Sequence, residues 1–173
     1  MQRTPWVNRK FQFDIPPGWL FNILERLRGT GSRIKELTAG IPDAKAGLRN
    51  GPAWSIKEHI GHLTDLEELH SGRINDFVFR KTVLRAADMQ NKKTEEAKHN
   101  EKPLVILISE FINARNSFLE HFEKLDDDAL NFQSMHPRLQ ILMRPVDMAF
   151  FTAEHDDHHL ATMRMVKQQL GLI

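Results

Sequence analysis

The sequence predicts an all-α fold, a four-helix bundle with long crossover connections. Four stretches repeat apolar residues at the three- and four-residue spacing of a helix with one buried face. No stretch alternates regularly enough to build a sheet. Ser55, Pro103 and Pro145 stand where helices conventionally begin. At 173 residues the chain fits one domain, 1–173, that can bury a substantial core.

The elements follow in order. A short arm from Arg9 to Ile15 mixes aromatic and charged residues and ends at Pro16-Pro17-Gly18. The first helical pattern runs from about Trp19, through Leu20, Ile23, Leu24 and Leu27, to Leu37. Gly29 and Gly31 weaken its middle by roughly 1 kcal/mol each, so a break is expected there. Gly40-Ile41-Pro42 stops it. The second helix starts on Ser55, with Glu58 as its capping-box partner and Trp54 placed for a hydrophobic staple. Ile56, Ile60, Leu63, Leu66, Ile74 and Phe77 mark its apolar side, and it should end near Arg80.

A polar connection from Lys81 to Lys102 follows, long enough to carry a helical turn and a function of its own. Pro103 opens the third helix, patterned by Leu104, Leu107, Ile108, Phe111, Ile112, Phe118, Leu119, Phe122 and Leu125. Asp126-Asp127-Asp128 reads as its solvated end, because the glycine and final glutamate of a calcium loop are missing. A connection from Leu130 to Arg144, containing His136-Pro137-Arg138, leads to the last helix, from Pro145 to about Leu170.

Composition narrows the function. The net charge is +1 and no basic block suggests a nucleic-acid arm. No apolar run is long enough for a membrane span, and the first residues lack the apolar core of a signal peptide. A cytoplasmic protein is expected. There is no cysteine, so any metal must be held by nitrogen and oxygen.

The last helix carries the strongest chemical signal, Glu154-His155-Asp156-Asp157-His158-His159-Leu160. Residues four apart share a helix face, so His155 and His159 fall within roughly 40° of each other. Met148, Phe151, Thr152, Met163, Val166 and Leu170 lie on that face, His158 at its edge and Asp157 opposite. Adjacent imidazoles within an apolar stripe need partners, and a divalent cation is one. On the second helix His59, His62 and His70 lie on or beside the apolar side, with His59 nearer its centre than His62. The frame of a zinc peptidase is present in His155-Asp156-Asp157-His158-His159, but aspartate stands where the general-base glutamate belongs.

Together, Trp54-Ser55-Ile56-Lys57-Glu58-His59-Ile60-Gly61-His62-Leu63 and Glu154-His155-Asp156-Asp157-His158-His159-Leu160 resemble the DinB family of metal-dependent enzymes, also described as DinB/YfiT-like. Leu24-Glu25-Arg26-Leu27-Arg28-Gly29-Thr30 and His136-Pro137-Arg138 look like one branch of it. The resemblance implies a divalent metal held by His62, His155 and His159, with His59 or His158 as an alternative ligand or a supporting partner. Three imidazoles leave coordination positions open, as in catalytic sites, and suit zinc or nickel first, with iron or copper compatible. It further implies a transferase using a low-molecular-weight thiol, or a hydrolase, acting on a small molecule. With no cysteine in the chain, the thiol would arrive as a co-substrate. A reading from another class is a non-catalytic metal-binding or stress-response protein that acts by binding a partner. Glu58 and Asp65 near His62, and Asp156 near His155, read as helix-surface charges or as groups that orient the ligand histidines.

Phe150 and Ala153 lie off the histidine stripe, and Val78 and Phe79 lie off the side of His62. Left open, these surfaces predict a homodimer; alternatively the 81–102 connection folds back over them.

Overall fold

The computed structural model describes residues 3–172. In chain order its helices are α1 (Leu20–Arg28), α2 (Thr30–Thr38), α3 (Asp43–Ala46), α4 (Ile56–Val78), α5 (Lys92–Glu96), α6 (Leu104–Glu123), α7 (Asp127–Asn131) and α8 (Pro145–Gln169). The first rod of the bundle is α1 followed by α2. The rod packs on α6 and α8, and α4 packs on both as well, so four rods enclose one interior. The four-helix architecture expected from the periodicity is present.

Local chemistry sets the ends. Ser55 Oγ accepts the Glu58 amide at 3.1 Å, and the Glu58 carboxylate accepts the Ser55 amide at 2.8 Å, a complete capping box. Asp147 does the same for α8, accepting the Arg144 amide at 3.0 Å. Its other oxygen accepts the amides of Asp14 and Ile15, which ties the N-terminal arm to the start of α8. The rod breaks at Gly29, as the two glycines suggested. Gly31 serves packing instead: a Cβ there would run into Ile112 of α6.

Two differences from the sequence reading stand out. The connection after α7 holds a hairpin, β1 (Ser134–His136) with β2 (Ile141–Met143), antiparallel. Strands of three residues are too short to show alternation. The hairpin persists because residues 82–84 pair with β1, Leu84 donating to the Met135 carbonyl and Met135 to the Thr82 carbonyl. The acidic triplet, expected as the end of a helix, starts one: Asp126 caps α7 by accepting the Ala129 amide at 2.7 Å.

The interior has two apolar clusters. One gathers Leu24, Leu27, Phe77, Phe118, Phe122 and Ala153, the other Ile34, Ile56, Ile60, Phe111, Leu160 and Met163. The Arg115 guanidinium sits between them, over Phe111 and Phe118. It reaches Glu67 of α4 at 2.6 Å and Asp156 of α8 at 2.5 Å, and donates to the Leu27 carbonyl of α1 at 3.2 Å. Thr30 of α2 donates to Asp156 at 2.8 Å. This buried network touches every rod. None of the described helices is long and apolar enough to cross a membrane.

The 81–102 connection does fold back, but over other surfaces than expected. It lies along most of the length of α4 and against β1. Phe150 is covered by Phe11 of the arm, and Ala153 is buried against α1, while Val78 and Phe79 stay 49% and 72% exposed.

Candidate metal centre

The second turn of α4 and the middle of α8 bring His62, His155 and His159 together. One nitrogen from each lies within 4.8 Å of the others. His155 Nε2 and His159 Nε2 are 3.2 Å apart. Two imidazole nitrogens so placed cannot both be acceptors without a proton or a cation between them.

The surroundings set which nitrogen of each ring faces inward. Thr94 of α5 donates its hydroxyl proton to Asp65 at 2.9 Å, so its oxygen accepts from His62 Nδ1 at 3.1 Å. His62 Nε2 is thereby left as a lone pair turned to the cluster. Asp65 is itself held by His99 Nε2 at 2.9 Å. His159 Nδ1 is 2.8 Å from His59 Nδ1, which leaves His159 Nε2 for the cluster. His59, the more central residue by periodicity, thus supports His159 and stands outside the three-histidine group. His158 also stands outside it, bonded to Arg3 at 2.7 Å.

Burial keeps these rings neutral. Desolvation, followed by the neighbouring His62, takes His59 down to about 3, and desolvation takes His62 to about 4. His155 and His159 are pushed well below the ordinary imidazole range by the same burial. His155 Nδ1 and His59 Nε2 are buried without a hydrogen-bond partner among the described residues. Three neutral imidazoles with converging nitrogens are the donor set of an open zinc- or nickel-type site, and the residues present fit such an ion.

Glu58, Asp65 and Asp156 are all engaged. Glu58 holds the α4 cap and Arg49, Asp65 belongs to the His62 relay, and Asp156 belongs to the Arg115 network. The histidines open onto a cavity of about 560 Å³, lined also by Trp6, Trp54, Leu66, Phe151, His136 and Arg138 among others. Trp6, just before the arm, lies edge-on to His155, with centroids 4.9 Å apart, and against Phe151 at 5.0 Å. Neither Trp6 nor Thr94 was legible as part of the site, since each belongs to a segment without helical periodicity. The hints were the aromatic residues of the neighbouring arm and the length of the 81–102 connection.

The family profile described as DinB superfamily matches residues 26–163. The chain belongs to the DinB superfamily. YfiT from Bacillus subtilis, described as a probable metal-dependent hydrolase with an unusual four-helix bundle topology, shares this DinB fold. It superposes with a TM-score of 0.78 at 15% identity, covering 94% of each chain. A mycothiol-dependent maleylpyruvate isomerase superposes with a TM-score of 0.68 at 11% identity, over 87% of this chain and 61% of the isomerase. This chain therefore spans about three fifths of that enzyme's length. No curated protein matches the sequence.

Proposed function

We propose that the protein is a metal-dependent enzyme in which His62, His155 and His159 hold one divalent cation, zinc or nickel first, at the wall of a small-molecule cavity. The observation that carries this reading is the convergence of three neutral imidazoles, two of which, His62 and His159, have their outer nitrogens occupied by Thr94 and His59. A cation held there supplies Lewis acidity toward a thiol or a water. The chain itself does the positioning. Asp65 and Thr94 fix the His62 tautomer, Trp6 and Trp54 wall the site from water, and the apolar flank at Leu66, Leu69 and Phe151 receives the body of a substrate.

Two structural neighbours are in keeping with this reading, one described as a probable metal-dependent hydrolase and the other as a mycothiol-dependent isomerase. With no cysteine in the chain, a transfer reaction draws its thiol from a low-molecular-weight co-substrate. Screening the zinc- and nickel-loaded protein for thiol consumption with electrophiles, and for hydrolysis of esters and amides, tests the reading. Turnover that disappears in His159→Ala supports it; no metal uptake by the wild-type chain refutes it. We further propose that 1–173 is one domain, that the protein works in the cytoplasm, and that exposed Val78 and Phe79 contribute to a symmetric homodimer. A light-scattering mass near that of a single chain would contradict the dimer.

A further inference from the structure

The cavity has a second polar region that the histidine cluster does not use. Arg73 of α4 is 3% exposed, and its Nε donates to the Arg85 carbonyl at 3.1 Å. Its terminal nitrogens meet no carboxylate among the described residues. The nearest acid, Asp76, is bonded to Arg85 through both oxygens. Arg138, in the hairpin turn, sits over the Phe151 ring at 5.9 Å and likewise makes no ion pair among the described residues. Between them His136 is 2% exposed. Its Nδ1 accepts the Leu139 amide at 3.2 Å, so the ring carries its proton on Nε2, and that Nε2–H has no partner. All three residues line the histidine cavity.

Burying an arginine without a counter-ion is costly, and setting a second one beside it adds repulsion. The two guanidinium groups depress His136 to about 4, after burial itself, which keeps the ring neutral and a hydrogen-bond donor. One acid lines the same cavity, Asp88, but its oxygens accept the Gln90 and Lys92 amides at 2.9 and 2.7 Å. The charge of Asp76 supports Arg73 from a distance, but no carboxylate among the described residues bonds to Arg73 or Arg138. Arg73 lies eleven residues after His62 on the same helix, a rise of roughly 16 Å, and Leu66 and Leu69 lie between them on the cavity wall.

We propose that Arg73, Arg138 and the Nε2–H of His136 form a binding subsite for the carboxylate of the substrate, while its reacting end lies at the histidine cluster. Two planar forks and one N–H donor suit a planar carboxylate, and the intervening wall suits an apolar body. The substrate class is thus an elongated organic acid with an apolar middle. This deepens the metalloenzyme reading and rests on it for the identity of the reacting end, but not for the anion site.

Phenylacetate and its neutral counterpart phenylacetamide are suitable probes, titrated into the full chain with tryptophan fluorescence as the readout. The acid should bind at least tenfold more tightly than the amide. Arg138→Gln, at a half-buried position, should remove most of that preference, and Arg73→Gln should do so if it folds. His155→Ala should keep it. Equal affinity for acid and amide in the wild-type chain, or an unchanged preference in Arg138→Gln, would overturn the subsite. A preference that survives in a chain taking up no metal would leave the subsite standing and sink only the metalloenzyme reading.

Discussion

Two buried polar clusters bridge the same helices of this bundle, and they are built differently. Around Arg115 the buried charges are paired: the guanidinium meets Glu67, Asp156 and a backbone carbonyl, and Asp156 also accepts from Thr30, with only the second Glu67 oxygen left without a partner among the described residues. Around His155 the inner nitrogens meet only each other, while the outer ones on His62 and His159 are carefully occupied. A charge-paired network fastens helices together. An unsaturated one, with tautomers fixed from behind, is arranged to receive something. Placing both on α4 and α8 means the fastening also sets the spacing of the histidines.

Removing a partner from each cluster should separate the two roles most sharply. Arg115→Leu would leave Glu67 and Asp156 buried without their counter-ion, a loss of about 3–5 kcal/mol in a urea titration. His155→Ala should cost far less in the metal-free protein, since it removes a crowded imidazole. Equal losses in the two variants would erase the distinction.

Acid should sharpen the contrast by separating the two in pH. The folded histidines hold depressed values, about 4 for His62 and about 3 for His59. The unfolded chain takes up protons at about 6.5. Stability of the metal-free protein should therefore fall as pH drops from about 6.5 toward about 4. Glu67 is held below its ordinary 4.5, against the opposing effect of its burial, chiefly by Arg115. Its contribution persists above that value and is lost only as pH falls below it. Urea midpoints that stay level between pH 7 and 5 would contradict the first half of this expectation.

Supporting residues should have smaller effects. Thr94→Val removes the acceptor behind His62 Nδ1, and should weaken zinc or nickel binding by about 10–100-fold with little change in stability. Gly61→Ala should act on the same relay more remotely, because a Cβ there would strike the His99 ring that holds Asp65. Calorimetric titration with the metal reads both. At the small end, Arg28→Ala breaks only exposed pairs with Glu25 and Glu123 and should shift stability by less than about 0.5 kcal/mol.

The long helices were legible because their ends carry local chemistry: the box of Ser55 and Glu58, Pro103, and Pro145. The pair His155 and His159 was legible from spacing alone. What spacing could not supply was rank among histidines on one helix. His59 sits nearer the apolar centre of α4, yet it meets His159 from behind, at 2.8 Å between their Nδ1 atoms, and stays outside the cluster. Asp156 looked like a surface charge and is fully buried, since α8 meets the other rods on more than one side. The cavity wall was least legible, because Trp6, Thr94, His136 and Arg138 come from segments whose placement depends on tertiary pairing.

The most direct test of the account is metal stoichiometry. The wild-type chain, stripped with chelator and reloaded with zinc or nickel at neutral pH, should retain about one ion per chain by elemental analysis. His62→Ala, His155→Ala and His159→Ala should each retain little while keeping the helical circular dichroism of the wild type, and His70→Ala should retain the full complement. Undiminished metal in His155→Ala and His159→Ala, or none in the wild type, would contradict it.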